Sequence, residues 1–275
     1  PEVLAATGTV LRVEPFSSAE PVDTPLIDTF SDRSRAFVKV QDGCDLRCTY
    51  CAIWRARGPG RSRPVFEVLD QLGRLIAAGY RETILAGIHL GGYGRDLRPR
   101  VSLPELLRIC LREFPELRLR LGSIHPNEVT PELLDLYRRH ARLRPHLHVS
   151  LQSGSDAILR RMKRPYRSAR ARRALHEIAR TRPHFGIGAD LIVGFPGETE
   201  ADFAATCDLV ATAPLSYLHV FRYSPRPGTP AAGMPGQVHP ETVSERSAAL
   251  RRLAKRKHDA FCRSLDRQVR EVVVE

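Results

Sequence analysis

The sequence contains no apolar run long enough to span a bilayer and no signal peptide. We therefore expect a cytoplasmic protein with free thiols and no membrane partner. No segment repeats along the chain. Cysteine is scarce, with six residues, and no second pair at C-x2-C spacing follows the first at a suitable distance. This argues against a structural zinc site, which needs four protein ligands.

Acidic residues are outnumbered by basic ones. The 275 residues include 43 Lys and Arg against 31 Asp and Glu, a formal net charge of +12 carried mostly by arginine. Such a balance predicts a polyanionic partner, with nucleic acid ahead of membrane, although a well-solvated arginine-rich surface would have the same composition. With 42% hydrophobic and 27% charged residues, the chain suits one large barrel-like domain or two small globular domains.

Three of the cysteines lie in one short loop. Cys44, Cys48 and Cys51 have the spacing C-x3-C-x2-C, directly after a strand-like run. Three thiolates at this spacing can hold three corners of a soft metal centre and leave the fourth open, which favours a 4Fe-4S cluster. Tyr50, next to the last cysteine, offers a planar ring for the base of a nucleotide-like cofactor. The alternative is a set of buried cysteines or a partial zinc knuckle.

Strand and helix patterns alternate from residue 36 onward. The alternation predicts a partial (β/α)6 TIM-like barrel over residues 36–235, preceded by a lead-in over residues 1–35. A basic helix follows over residues 236–268, and residues 269–275 form a strand-like start of a further domain. The six predicted strands are Ala36–Gln41, Glu82–Gly87, Leu117–Gly122, His146–Gln152, Ile187–Val193 and Ser216–Tyr223.

The strand His146–Gln152 has one apolar and one polar face, because Leu147, Val149 and Leu151 alternate with polar residues. In a parallel barrel the apolar face packs on the outer helices, and the polar face lines the lumen near the active site. Asp190 alternates with apolar neighbours in the next strand. We expect its side chain to point into the lumen as well.

The last helix, which begins near Pro240, is predicted to be amphipathic. Its apolar residues are Val243, Leu250, Leu253, Phe261 and Leu265. Its other face is predicted to be basic and either solvated or in contact with phosphates. That face comprises Arg246, Arg251, Arg252, Lys255, Arg256, Lys257, Arg263 and Arg267.

The cysteine loop, with its aromatic residue before the last cysteine, resembles that of radical S-adenosylmethionine (SAM) enzymes. The flanks KVQDGC and RGPGRSRP, with HVFRYSPRPGT further on, are similar to those of the methylthiotransferases within this group, above all the branch that modifies threonylcarbamoyladenosine next to the tRNA anticodon. Other branches modify isopentenyladenosine in tRNA or an aspartate of a ribosomal protein. The resemblance implies a transferase with tRNA as partner and a reductant protein such as flavodoxin or ferredoxin.

The resemblance also implies the cofactor site. Cys44, Cys48 and Cys51 would bind the 4Fe-4S cluster, and SAM would bind its open iron beside Tyr50. Further SAM contacts are implied within LAGIHLGGYGRD, LQSGS, M-x-R-x-Y and DLIVGFPGE. They are Gly87 at the methionine end, Gln152 and Arg164 at the ribose and carboxylate, and Asp190, whose backbone would flank adenine. We assign no catalytic acid, base or nucleophile, since the cofactors carry the chemistry.

Two departures from the family pattern stand out. Family members carry an amino-terminal domain with a second 4Fe-4S cluster and a carboxyl-terminal β-barrel that binds RNA, and these 275 residues match neither. We therefore expect SAM cleavage from this piece, without methylthio transfer. Cys110, Cys207 and Cys262 are interpreted as small core residues. His125 replaces an acid of the family and is expected to pack or hydrogen-bond.

Two other functions remain open at this point. The chain could be a SAM-dependent radical core of another specificity, for example one that acts on protein. It could also be a non-catalytic basic RNA-binding module with a structural metal. Zinc content without SAM affinity would indicate the RNA-binding module.

Overall fold

The computed structural model describes residues 22, 26–30 and 33–274. Most of the predicted lead-in, residues 1–35, therefore lies outside the described residues, as does Glu275. Within the described part, no helix is long and apolar enough to cross a membrane.

Six parallel strand positions form the scaffold, as predicted. The pairing order is β1, β3, then the β4–β5 segment, β6, β7 and β8, so that neighbours in sequence are neighbours in space. This is the order of a partial barrel, and no pairing joins β1 to β8 within the described residues. The strands are β1 Ala36–Asp42, β2 Arg61–Ser62, β3 Glu82–Gly87, β4 Arg118–Leu121, β5 Ser123–Ile124, β6 His146–Gln152, β7 Gly186–Val193 and β8 Tyr217–Arg222.

Two details of the strands were not predicted. The short strand β2 pairs antiparallel with the end of β1, where Gln41 lies opposite Ser62. The third parallel position is interrupted at Gly122, so that β4 pairs with β3 while β5 pairs with β6. The amide of Gly122 donates to the carbonyl of Leu85 at 2.9 Å, which anchors the interruption to β3.

Helices follow the strands and cover their outer faces. Ser102 and Glu105 form a capping box, and Thr130 and Thr199 accept hydrogen bonds as N-caps. Leu147, Val149 and Leu151 are fully buried in the resulting core. The helices are α1 Ile53–Arg57, α2 Val65–Ala77, α3 Leu103–Glu113, α4 Pro131–Arg139, α5 Asp156–Arg161, α6 Ser168–Ala179, α7 Glu200–Thr212 and α8 Pro240–Ser264.

Three sequence-based expectations are wrong. Arg246 does not belong to the exposed basic face of α8: it is buried and bonded to Glu198. Cys262 is exposed on α8 and is not a core residue, whereas Cys110 is buried. Residues 269–274 form no strand in the described part of the chain, where Arg144 contacts both the carboxylate and the carbonyl of Glu271; that this segment begins a further domain stays a prediction.

Candidate cofactor site at the carboxyl ends of the strands

The cysteine loop begins where β1 ends, and glycine makes its first turn possible. Gly43 has φ +71°, and a Cβ there would lie 1.9 Å from the carbonyl oxygen of Pro59. The amide of Cys44 then donates to the carbonyl of Gly58 at 3.0 Å. The RGPG segment thus closes against the start of the loop, which gives a structural reason for this motif.

The second half of the loop is held by segments from the far side of the barrel. Thr49 donates through its amide to the carbonyl of Met162 at 3.1 Å and through its hydroxyl to the carbonyl of Arg161 at 2.8 Å. The amide of Ala231 donates to the carbonyl of Thr49 at 3.0 Å. The loop is therefore fixed on both sides, and its cysteines are positioned by backbone contacts.

Arg164 lies directly against the cysteines. Its guanidinium is 3.2 Å from Sγ of Cys48 and 3.4 Å from the hydroxyl of Tyr50. It also donates to the carbonyl of Ser150 at 3.0 Å and to the hydroxyl of Tyr166 at 3.1 Å. Burial and this cation act in opposite directions on Tyr50, and burial dominates, which raises the pKa of its phenol above the ordinary value.

Gly87 lies at the end of β3, and its nearest neighbour is Gln41. A Cβ at Gly87 would lie 2.9 Å from Cβ of Gln41. The Gln41 side chain donates to the carbonyls of Asp42 and Gly43 and accepts from the amide of His89 at 2.7 Å. Glycine is thus required for packing on Gln41, and a SAM contact of Gly87 stays a prediction.

A buried group that the sequence analysis missed adjoins Cys44. His89 contacts the carboxylate of Glu128, and the His89 and His125 ring centroids are 5.1 Å apart. Burial lowers the pKa of His89, but hydrogen bonds to Cys44 and Glu128 outweigh it and raise that pKa to about 9. Burial and the guanidinium of Arg164 lower the pKa of His125 to about 3. His125 is 3.2 Å from Arg164, in the hydrogen-bonding role expected for it.

A cavity of about 330 Å³ opens beside the loop, and it brings together three of the predicted cofactor residues. Tyr50, Gln152 and Asp190 line it, together with residues of the segment 221–226. Gln152 has φ +67°, so the chain turns there at the end of β6. Gly87 and Arg164 are not among its lining residues.

The three cysteines fit a cluster better than a single ion. Cys48 is buried, while Cys44 and Cys51 are partly exposed. Burial raises the pKa of the Cys51 thiol, and the neighbouring sulfurs of Cys48 and Cys44 raise it further. Ligands of one zinc ion at about 2.3 Å would bring the sulfurs within roughly 4 Å of one another. These three sulfurs are not among the described groups whose ligand atoms all lie within 4.8 Å.

A second polar group, the lumen group, lies on the last three parallel strands, with one of its side chains exposed. His148 on β6, Asp190 on β7 and His219 on β8 lie together there, beside Tyr217. The alternation of β6 and β7 predicted the inward orientation of the first two. His219 was missed, although Leu218 and Val220 alternate with it in the same way.

The radical SAM superfamily model matches residues 38–210 of the chain. The threonylcarbamoyladenosine tRNA methylthiotransferase MtaB of Thermotoga maritima is 43% identical over 236 residues, which cover 86% of this chain and 54% of that protein. The tRNA-2-methylthio-N(6)-dimethylallyladenosine synthase of a Parafrankia species is 40% identical over 246 residues, covering 90% of this chain and 50% of that protein. The chain thus spans about half the length of the curated relatives it matches.

Solved structures share the fold at low identity. The radical SAM methyltransferase TsrM of Kitasatospora setae superposes with a TM-score of 0.60 at 19% identity, over 72% of this chain and 38% of that chain. The coproporphyrinogen III oxidase HemN of Escherichia coli superposes with a TM-score of 0.59 at 18% identity, over 83% of this chain and 54% of that chain. Both the α/β fold class and the resemblance drawn from the cysteine loop are confirmed. The chain belongs to the radical SAM superfamily.

Proposed function

We propose that this chain is the SAM-cleaving radical core of a methylthiotransferase that acts on threonylcarbamoyladenosine next to the tRNA anticodon. The observation that carries the proposal is its identity of 38–43% to three curated proteins of that name over 86–93% of its length. The second candidate is methylthiotransfer to dimethylallyladenosine in tRNA, favoured by a relative of that name at 40% identity. A ribosomal-protein aspartate is a third substrate within the same family.

In this function Cys44, Cys48 and Cys51 hold the 4Fe-4S cluster. When bound, the cluster supplies the electron that cleaves SAM. The protein's own contribution is to position SAM and to exclude water. SAM binds in the cavity lined by Tyr50, Gln152 and Asp190. No side chain is needed as an acid, base or nucleophile.

Arg164 has a positioning function in this proposal. It is buried, it contacts Cys48 and Tyr50, and its guanidinium presents several donors in a fixed fork that suits a carboxylate. We infer that Arg164 orients the carboxylate of SAM from beside the cluster loop. Its bonds to Ser150 and Tyr166 fix the guanidinium before SAM binds.

The net charge supports tRNA as the partner. A formal charge of +12 attracts a polyanion, and α8 presents an exposed basic face. That face comprises Arg251, Arg252, Lys255, Arg256 and Arg263. A small reductant protein of the flavodoxin or ferredoxin type is the proposed electron donor, and a second cluster is proposed for the whole enzyme. The cytoplasmic location stays a prediction.

The test is nucleoside analysis of tRNA from a bacterial strain that lacks methylthio groups on both modified adenosines. The complete open reading frame that encodes this chain is expressed in that strain, with the Cys48→Ala variant as control. We expect methylthio-threonylcarbamoyladenosine to appear only with the unchanged protein. Methylthio-dimethylallyladenosine alone would favour the second candidate. The absence of both products would refute a tRNA substrate of these two types.

A further inference from the structure

Three neighbouring strands place a set of metal-ligand atoms side by side. Nε2 of His148 lies 2.9 Å from Oδ1 of Asp190, and Nδ1 of His219 lies 3.2 Å from the same oxygen. One ligand atom from each of the three residues lies within 4.8 Å of the others. Two ligands about 2 Å from one tetrahedral ion are roughly 3.3 Å apart. The present spacing is therefore close to that of a coordination sphere.

The buried histidine of this group has a ring nitrogen that makes no hydrogen bond to the described residues. His148 is 7% exposed, and the approach of its Nε2 to Asp190 at 2.9 Å is outside hydrogen-bonding geometry. A buried polar atom without a partner costs free energy unless a ligand satisfies it. The nitrogen lies close to the same carboxylate oxygen that His219 contacts.

The other nitrogen of His148 has the partner that a metal-bound histidine requires. Its Nδ1 is 3.1 Å from the hydroxyl of Tyr217, which is also 2.9 Å from Nε2 of His146. A hydrogen bond at one ring nitrogen fixes the ring and leaves the other nitrogen free to coordinate. Tyr217 is itself fixed by close packing over Gly188, where a Cβ would lie 2.1 Å from its ring.

The second group of ligand atoms in the described part of the chain, His89, His125 and Glu128, is less suited to a cation. His125 is 3.2 Å from the guanidinium of Arg164, which repels a metal ion. Nε2 of His89 is already hydrogen-bonded to Glu128. Among the described residues, no guanidinium or ammonium group makes a hydrogen bond or ion pair with the lumen group, which contacts the rings of Tyr217 and Phe221.

We propose that His148, Asp190 and His219 form a binding site for a divalent first-row transition metal ion such as Zn²⁺. Two imidazoles and one carboxylate are a common ligand set for such ions. His219 is exposed and Asp190 lines the cavity beside Tyr50, so the group is reached from solvent and the remaining coordination position is open. Water or an oxygen atom of a substrate takes that position. The site does not depend on which nucleotide is modified.

The test is the metal content of the cluster-loaded chain after dialysis against Zn²⁺, measured by mass spectrometry. We expect about one zinc in addition to about four irons. His219→Ala should lose the zinc and keep the iron, whereas His239→Ala, which removes an exposed histidine at the start of α8, should keep both. Equal zinc in His219→Ala and the unchanged chain would overturn the proposal, as would absence of zinc from both.

The affinity is measured by calorimetric Zn²⁺ titration of a variant in which Cys44, Cys48 and Cys51 are alanine, so that no loop thiol competes. In that background Tyr217→Phe keeps the packed ring and removes only the hydroxyl. We expect its zinc affinity to fall about 10- to 100-fold, the usual effect of losing the partner of a ligating histidine. An unchanged affinity would mean that zinc binds elsewhere and would contradict the proposed coordination.

Discussion

Removing Arg246 should destabilise the protein far more than removing a neighbouring exposed arginine of α8. Its side chain is 7% exposed, and that of its partner Glu198 is 1% exposed. The guanidinium donates to the Glu198 carboxylate at 2.9 Å and to the Glu198 carbonyl at 3.0 Å. Loss of one member of a buried ion pair costs about 3–5 kcal/mol, because the other charge stays buried without compensation.

The effect is measured by thermal and urea unfolding of cluster-free protein under anaerobic conditions, with circular dichroism as the signal. At about 2.1 cal/mol/K per residue, 3–5 kcal/mol lowers the melting temperature by roughly 5–9 °C. Arg251→Ala, the matched control on the exposed face, should change stability by less than about 0.5 kcal/mol. A loss below about 1 kcal/mol in Arg246→Ala would refute the argument from the buried charge.

The pH dependence gives a second check. Burial raises the pKa of Glu198, opposed by the amide of Gly194 and by Arg246. A carboxyl whose folded-state pKa is raised binds more protons when folded, so stability falls as the pH rises through that pKa. Without Arg246 the pKa rises further, and the deficit of the variant should be largest at neutral pH and smaller in acid. Adding Glu198→Gln should recover at least about 1 kcal/mol.

Three other predictions concern the cofactor site and the lumen. Gly43→Ala should abolish iron loading because its Cβ would lie 1.9 Å from a carbonyl oxygen, whereas Gly79→Ala, with φ +95° and open space, should load iron normally in a colorimetric assay. Arg164→Lys should weaken SAM binding about 10- to 100-fold in calorimetry, since it loses the fork of donors; unchanged affinity would contradict the positioning function. Burial lowers the pKa of His146 from 6.5 to about 4. Between these two pH values the unfolded protein binds more protons than the folded protein, so stability should fall as the pH decreases across that window. In urea titrations, His146→Gln should reduce the change of unfolding free energy with pH across that window. An unchanged pH dependence would contradict its assignment to His146.

The sequence predicted the strands well because each carries a strong pattern. His146–Gln152 has the same bounds in the structure, since strict alternation of apolar and polar residues leaves one register. The N-caps at Ser102, Thr130 and Thr199 also follow local sequence rules, because a cap is an interaction between residues close in the chain. The interruption at Gly122 was not predictable, since it depends on which strand each half pairs with.

The site was predicted only in part. The cysteine loop is a local motif, but the contact of Arg164 with Cys48 joins residues 116 positions apart. His89 and Glu128 meet only when the ends of β3 and β5 come together, and no spacing along the chain indicates this. Arg246 could have been predicted: it lies three residues after Val243 and four before Leu250, on the apolar stripe of α8.

The most direct test of the central claim is cofactor analysis of anaerobically reconstituted protein. Iron and sulfide are counted first, and 5′-deoxyadenosine released from SAM after reduction is then measured. We expect about four irons per chain and deoxyadenosine release, both lost in Cys48→Ala and both retained in Cys262→Ala, which removes an exposed cysteine of α8. About one zinc and no iron per chain with no deoxyadenosine, or release that persists in Cys48→Ala, would contradict the account.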